Sequence, residues 1–186
     1  MLRHLFPGVY EGWLIVAASA PFSALLSGAI HYGFGTVFEP LRNEFGWGVG
    51  ATAVAFSLRT EVSGIAAPAI GVMVDRLGPR PTLAFGVIVS VVAILLMSFT
   101  ENLWWFYTTM VVLSVGMSAT GGTVALAAIA TWFHRRRTRA MALLTMGGGL
   151  AALLTPLMAI LVDELGWRGA LRVVVVLVAI AGILPI

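Results

Sequence analysis

Long apolar runs separated by short charged breaks organise this chain. Residues 12–38 contain no Asp, Glu, Lys or Arg, and residues 46–74 are interrupted only by Arg59 and Glu61. Further runs cover residues 81–100, 102–133, 140–162 and 173–186. The first five each supply the ~20 residues that a helix needs to cross a bilayer core. In hydrocarbon only a helix or a closed barrel satisfies every backbone group, and a barrel strand would alternate apolar and polar positions over about ten residues. Uninterrupted runs therefore predict an all-α membrane protein with six transmembrane helices. The first run far exceeds the roughly 7–15 residues of a secretory signal core and is followed by further apolar runs, so it is expected to remain in the membrane as the first helix. From Val173 only 14 uncharged residues remain, about 21 Å of helix against a core of roughly 30 Å. No polar flank follows Pro185 and Ile186, and the expectation is a partial chain.

Composition supports the same class. The chain is 60% hydrophobic and 10% charged over 186 residues, too little polar surface for a soluble fold, and the lipid bilayer is its expected surroundings. All the basic charge is Arg, there being no Lys, and its placement reports topology rather than nucleic-acid binding. Arg3, Arg76, Arg80, Arg135, Arg136, Arg137 and Arg139 fall on one side of the predicted spans. The opposite junctions hold Glu39, Arg42, Glu44, Glu101, Asp163, Glu164, Arg168 and Arg172. The positive-inside rule then places the N-terminus in the cytoplasm of a multi-pass protein, most simply in the plasma (inner) membrane. Trp47, Trp104, Trp105 and Trp167 mark the outer helix ends and Trp13 and Trp132 the inner ones, as an aromatic belt would. With no cysteine, disulfides and thiol chemistry are excluded.

An internal echo appears when residues 66–80 (AAPAIGVMVDRLGPR) are set against residues 154–168 (LTPLMAILVDELGWR). At an offset of 88 residues, Pro68, Val74, Asp75, Leu77, Gly78 and Arg80 match Pro156, Val162, Asp163, Leu165, Gly166 and Arg168. The two junctions fall on opposite sides of the membrane. Units of three helices related by inverted topology are the plan of many alternating-access carriers, whereas coincidence between two short turns is the plain alternative. The domain reading is one six-helix bundle over residues 1–186, with residues 1–98 and 99–186 as its two three-helix repeats.

The loop GVMVDRLGPR, with Gly71, Asp75, Arg76, Gly78 and Arg80, resembles the G-x-x-x-D-R-x-G-x-R signature between helices 2 and 3 of the major facilitator superfamily. Around it, YEGWLIVAAS, HYGFGTVFEPLRNEFGW, WFHRRRTRAMA and LGWRGAL resemble its monocarboxylate and oxalate:formate branch. The resemblance covers nearly the whole chain, but only what would be the N-terminal six-helix half. It implies a secondary carrier without catalytic chemistry or cofactor. It also implies a cytoplasmic latch in which Asp75 and the arginines bond neighbouring helix ends in one conformation and release them in the other; a solvated turn that only sets topology is the bland alternative. Helix 5 departs from the superfamily's antiporter signature, since Pro156 follows Leu153, Leu154 and Thr155 rather than glycine.

Ionisable groups at membrane depth are expensive and face a bundle interior, a cavity or a partner. Arg59 lies about 24 Å of helix from Asp75, near mid-membrane. Two residues apart, Arg59 and Glu61 point to different faces. Arg59 is the candidate anion-attracting group of a substrate pathway and Glu61 a proton-sensitive or helix-pairing one, against a reading in which both only tie helix 2 to its neighbours. His31 and Tyr32, late in helix 1, are candidates for an outward vestibule or, more plainly, an interfacial pair. Gly116, Gly121 and Gly122, and Gly147 to Gly149, read as close-packing positions.

The other classes have less support. Gly116, Met117 and Ser118 continue as Ala119 and Thr120, completing no serine-nucleophile motif, and the three His lie in distant segments with no H-E-x-x-H. A non-transporting membrane remnant or assembly subunit is the serious rival. The reading is the N-terminal half of a carrier for small organic anions such as monocarboxylates, working with a proton or counter-anion. Its substrate would sit between this bundle and a second one, supplied by the missing C-terminal half or by another copy.

Overall fold

The computed structural model describes residues 25, 28, 33–121, 124, 138, 142, 146 and 151–183. Its elements are α1 (Phe34–Phe45), α2 (Val49–Leu77), α3 (Pro79–Met97), α4 (Leu103–Thr120), a 3-10 turn (Ala151–Leu154) and α5 (Thr155–Ile183). No strand occurs among the described residues.

α1 runs through the segment that the charge pattern assigned to a loop. Charges do not stop a helix; they choose its face. Val37 and Leu41, one turn apart, are each 1% exposed, while Glu39, Asn43 and Glu44 look outward. The stop comes at Gly46, whose left-handed conformation (φ 66°, ψ 24°) is the usual way to end a helix.

α2 is one continuous helix despite Pro68 in its interior. Thr52, Ala55, Arg59 and Ile70 are its buried positions, at the intervals that one helical face requires. Glu61, Gly64, Pro68, Gly71 and Asp75 lie on the exposed side.

α3 and α4 approach closely through small residues. A Cβ on Gly86 of α3 would stand 2.9 Å from the Ala119 backbone and 2.7 Å from the Thr120 methyl of α4. One on Gly116 of α4 would stand 2.8 Å from the Ser90 backbone nitrogen. Gly86 and Ser90 on one helix thus interlock with Gly116 and Thr120 on the other, a small-xxx-small pair at four-residue spacing. Two buried hydroxyls of this region bond within their own helix, Ser114 donating to the Met110 carbonyl (2.7 Å) and Thr120 to that of Gly116 (3.0 Å), whereas the buried Ser90 hydroxyl has no hydrogen-bond partner among the described residues.

α5 contains a break at Gly166 (φ 69°, ψ 165°). Leu157, Met158 and Leu161 before the break line the same small apolar cavity, about 30 Å³, as Val174, Leu177 and Val178 after it. A straight helix would hold Leu157 and Leu177 about 30 Å apart, so the chain doubles back and residues 155–165 and 167–183 form two arms side by side. The second arm begins at Trp167, not at Val173 as charge counting implied, because the junction segment carrying Arg168 and Arg172 is itself helical.

The core joins Ile94 and Met97 of α3, Phe106, Met110 and Leu113 of α4, and Trp167, Leu171, Val174 and Val178 of α5. Outward from it, α3 presents Phe85, Ile88, Val92 and Leu95, and α5 presents Leu157, Ile160, Val176 and Ile180. A rim of large apolar side chains suits lipid contact. Two described stretches, Pro79–Met97 and Ala151–Gly182, are long and apolar enough to cross a membrane, and the second of these is the doubled-back pair.

Candidate functional site

The two echoed junctions are built alike in the backbone. Gly78, between α2 and α3, has φ 90° and ψ 167°, and Gly166, between the arms of α5, has φ 69° and ψ 165°. Side-chain-bearing residues essentially never adopt this region. A Cβ would meet nothing within 4 Å at either position, so conformation rather than crowding demands glycine at both. After Gly78, Pro79 opens α3 at its first position, where a missing N–H costs nothing, and the Thr82 hydroxyl donates to the Gly78 carbonyl (2.8 Å).

At the Gly166 end three junctions are tied together. Glu44, at the end of α1, accepts hydrogen bonds from Arg168 Nη1 (2.5 Å) and Trp167 Nε1 (2.6 Å). Arg168 Nη2 donates to the Thr100 carbonyl, between α3 and α4 (3.2 Å). The guanidinium lies 4.3 Å from the Trp167 ring centre and 5.7 Å from that of Phe45. Phe45 stacks on Trp47 (4.7 Å), which packs against Phe106 (5.6 Å). The hydrogen bonds from Arg168 and then Trp167 hold the Glu44 carboxyl below its ordinary pKa, against a smaller opposing effect of burial. The sequence grouped Glu44, Arg168 and Trp167 at one membrane face but did not reveal this clasp, since a contact spanning 124 positions leaves no local pattern. It also mistook Trp167 for a belt residue: it is 4% exposed, whereas Trp104 is 79% exposed.

Arg59 and Glu61 diverge as their spacing requires. Arg59 is 7% exposed, its guanidinium 5.1 Å from the Phe56 ring centre and 4.0 Å from Met117 Sδ of α4. Nearby, Ser118 of α4 donates to the Ser63 carbonyl of α2 (3.3 Å), and the Tyr107 hydroxyl to the Ala51 carbonyl (2.8 Å). Arg59 therefore sits in the α2–α4 seam. Glu61 is exposed on the opposite side of α2 and forms no hydrogen bond or ion pair with any described residue. The structure does not bring the two together.

In the signature loop, Gly71, Asp75, Arg76 and Arg80 are exposed and Gly78 is half-buried. Neither Asp75 nor Arg76 forms an ion pair with a described residue. His31, Tyr32, Gly122 and Gly147 to Gly149 lie outside the described residues, as do Arg135, Arg136, Arg137 and Arg139. An open cavity of about 420 Å³ between α1 and the first arm of α5 is lined by Thr36, Glu39, Pro40, Asn43 and Asp163, a feature that the sequence did not single out.

Comparison with known proteins fits this architecture. The chain is 31% identical over 164 residues to monocarboxylate transporter 13 of Bos taurus, a match that takes in 88% of this chain and 38% of that protein. It is 30% identical over 166 residues to monocarboxylate transporter 11 of Homo sapiens (86% and 34%). It is also 32% identical over 106 residues to the fujikurins efflux protein of Gibberella fujikuroi (56% and 23%). The chain spans well under half the length of these curated relatives. The family model of the Major Facilitator Superfamily matches residues 22–186, and with that match, the signature loop and the all-helical fold together, the chain belongs to the major facilitator superfamily.

Proposed function

We propose that this chain is a six-helix bundle of a secondary carrier that moves a small organic anion, such as a monocarboxylate, by alternating access with a second bundle. The observation that carries the reading is the pair of glycine reversals, Gly78 and Gly166, which share one rare backbone conformation at the positions that the sequence echo aligns. Two helix-turn-helix units of the same build support a three-plus-three inverted repeat, residues 1–98 and 99–186, as does the family to which the chain belongs.

An anionic substrate is favoured by two facts. Several relatives are named for monocarboxylate transport, and this chain holds an arginine at the middle depth of a long helix. A guanidinium there attracts carboxylates through charge and paired donors, and Phe56 and Met117 seat it in an apolar surround that strengthens such attraction. The relative named for fujikurin efflux favours a wider range of substrates and export as a second direction of transport.

The exposed Asp75 and Arg76 are placed to bond across to a second bundle at the cytoplasmic end in one state and to part from it in the other. The Glu44–Arg168 clasp acts within the bundle, binding its outer junctions into one rigid body that rocks as a unit. His31 and Tyr32 stay as candidates for the outer vestibule.

The test is counterflow of radiolabelled lactate in proteoliposomes bearing the protein expressed from its uninterrupted coding region. Saturable accumulation that unlabelled monocarboxylates compete away supports the reading. Folded protein that exchanges neither lactate nor a larger acidic metabolite removes it in favour of an assembly subunit.

A further inference from the structure

The outward faces of α3 and of the second arm of α5 carry two matched stripes. Along α3, Ile88, Val92, Leu95 and Phe99 are exposed at steps of three and four residues, one side of a helix. Along the second arm, Arg172, Val176 and Ile180 are exposed at steps of four. α3 ends at the Gly166 end, where the Thr100 carbonyl accepts from Arg168, and the second arm begins there, so the two run antiparallel. The Arg172 guanidinium lies 5.4 Å from the Phe99 ring centre. The stripes therefore meet at that end and run inward from it side by side.

Arg172 differs from its neighbour one turn earlier. Arg168 is committed to Glu44 and to the Thr100 carbonyl. Arg172 forms no hydrogen bond or ion pair with any described residue and rests on the Phe99 ring. Glu101, exposed on the adjoining α3–α4 junction, does not pair with it. A ring face holds a guanidinium in place without using any of its five donors. Trp104 and Trp105, both exposed at the start of α4, mark this end as interfacial depth. The Trp105 ring nitrogen donates to the Leu96 carbonyl in the last turn of α3 (2.9 Å), which ties that depth to the same helix end.

We infer that the Phe99–Arg172 end of the α3–α5 seam is a binding site for an anionic phospholipid, with its phosphate on the Arg172 guanidinium and its acyl chains along the two stripes. Donors and charge at the top answer a phosphate, and large apolar side chains below answer hydrocarbon. The lengths agree as well. From Arg172 to Ile180 is about 12 Å of helix, against about 15 Å for half of a bilayer core. Another transmembrane helix fits this face poorly, because neither stripe holds a glycine or alanine to let a backbone come close. A soluble anion would gain only an exposed contact that salt screens, whereas a bilayer lipid is held at the right depth by its chains.

The test is native mass spectrometry of the protein expressed from its uninterrupted coding region, released from micelles containing dioleoylphosphatidylglycerol or dioleoylphosphatidylcholine. Retention of phosphatidylglycerol in preference to phosphatidylcholine is expected. Arg172→Gln should weaken that retention about fivefold, the worth of one arginine facing an anionic leaflet, and Arg172→Lys should restore much of it. Phe99→Ala, which removes the ring under the guanidinium, should weaken it in the same direction, with circular dichroism verifying that the variants fold. Glycerol phosphate, the soluble headgroup alone, should not displace the lipid. Equal retention of the two lipids, retention unchanged by Arg172→Gln, or displacement by glycerol phosphate overturns the inference, the last by making the site one for free anions. So does a lipid-free dimer that Arg172→Gln dissociates, which assigns the face to a second copy. The readout is binding alone and stands apart from counterflow.

Discussion

Single residues set the hardest constraints in this bundle. Gly78 and Gly166 occupy a backbone region closed to residues with a Cβ, so Gly78→Ala and Gly166→Ala should each destabilise the fold by about 1–3 kcal/mol. Detergent–denaturant unfolding checks this, with Gly64→Ala, at a helical and open position, as the mild control. The sequence echo pointed to both glycines because a turn of this kind leaves a local mark. Arg59 was equally legible, since one arginine inside an apolar run is conspicuous. Its neighbour Met117 on α4 was not, because the α2–α4 contact joins residues 58 positions apart. Arg59→Ala should lower counterflow about tenfold or more, as loss of a charge-assisted contact of about 1.5–3 kcal/mol implies. Arg59→Lys should restore only part of it, because lysine lacks the planar fork and the ring stacking.

At the Gly166 end the sign of the pH effect is fixed by Glu44. Its folded-state pKa lies below the unfolded one, so the clasp contributes fully above the ordinary carboxylate range and is lost as the pH falls through the depressed value. Glu44 and Arg168 are 42% and 38% exposed, and solvent screening keeps such a pair to a fraction of about 1 kcal/mol. Thermal unfolding should therefore show Glu44→Gln close to wild type at pH 7, with the remaining difference disappearing in acid.

Whole elements owe their placement to what lies on each face. The α3–α4 seam works because Gly86 and Gly116 leave room for the facing helix. Gly116→Ala would press a methyl onto the Ser90 backbone and should cost about 1–3 kcal/mol by overpacking, read as a lower unfolding midpoint. That the described runs are helical was plain from their apolar pattern. Helix ends were not: the charge rule ended the first run at Phe38 and began the last at Val173, whereas α1 continues to Phe45 and the second arm of α5 starts at Trp167. Charged residues at a membrane surface stay helical wherever an apolar face such as Val37 and Leu41 still has a core to cover. The reversal at Gly166 then lets Trp167 turn inward to meet Glu44, which is why a tryptophan expected at the lipid interface ends in the core.

For the whole molecule, the central proposition is that two units of one build face opposite ways across the membrane. Rocking of such a bundle would expose a central site to each side in turn. The most direct measurement places single cysteines, Arg76→Cys beside Gly78 and Glu164→Cys beside Gly166, in the otherwise cysteine-free chain. A membrane-impermeant maleimide is then applied to right-side-out and inside-out vesicles. Labelling of Arg76→Cys only from the cytoplasmic side and of Glu164→Cys only from the other is the expected result. Labelling of both from one side would contradict the inverted repeat and the alternating-access reading built on it.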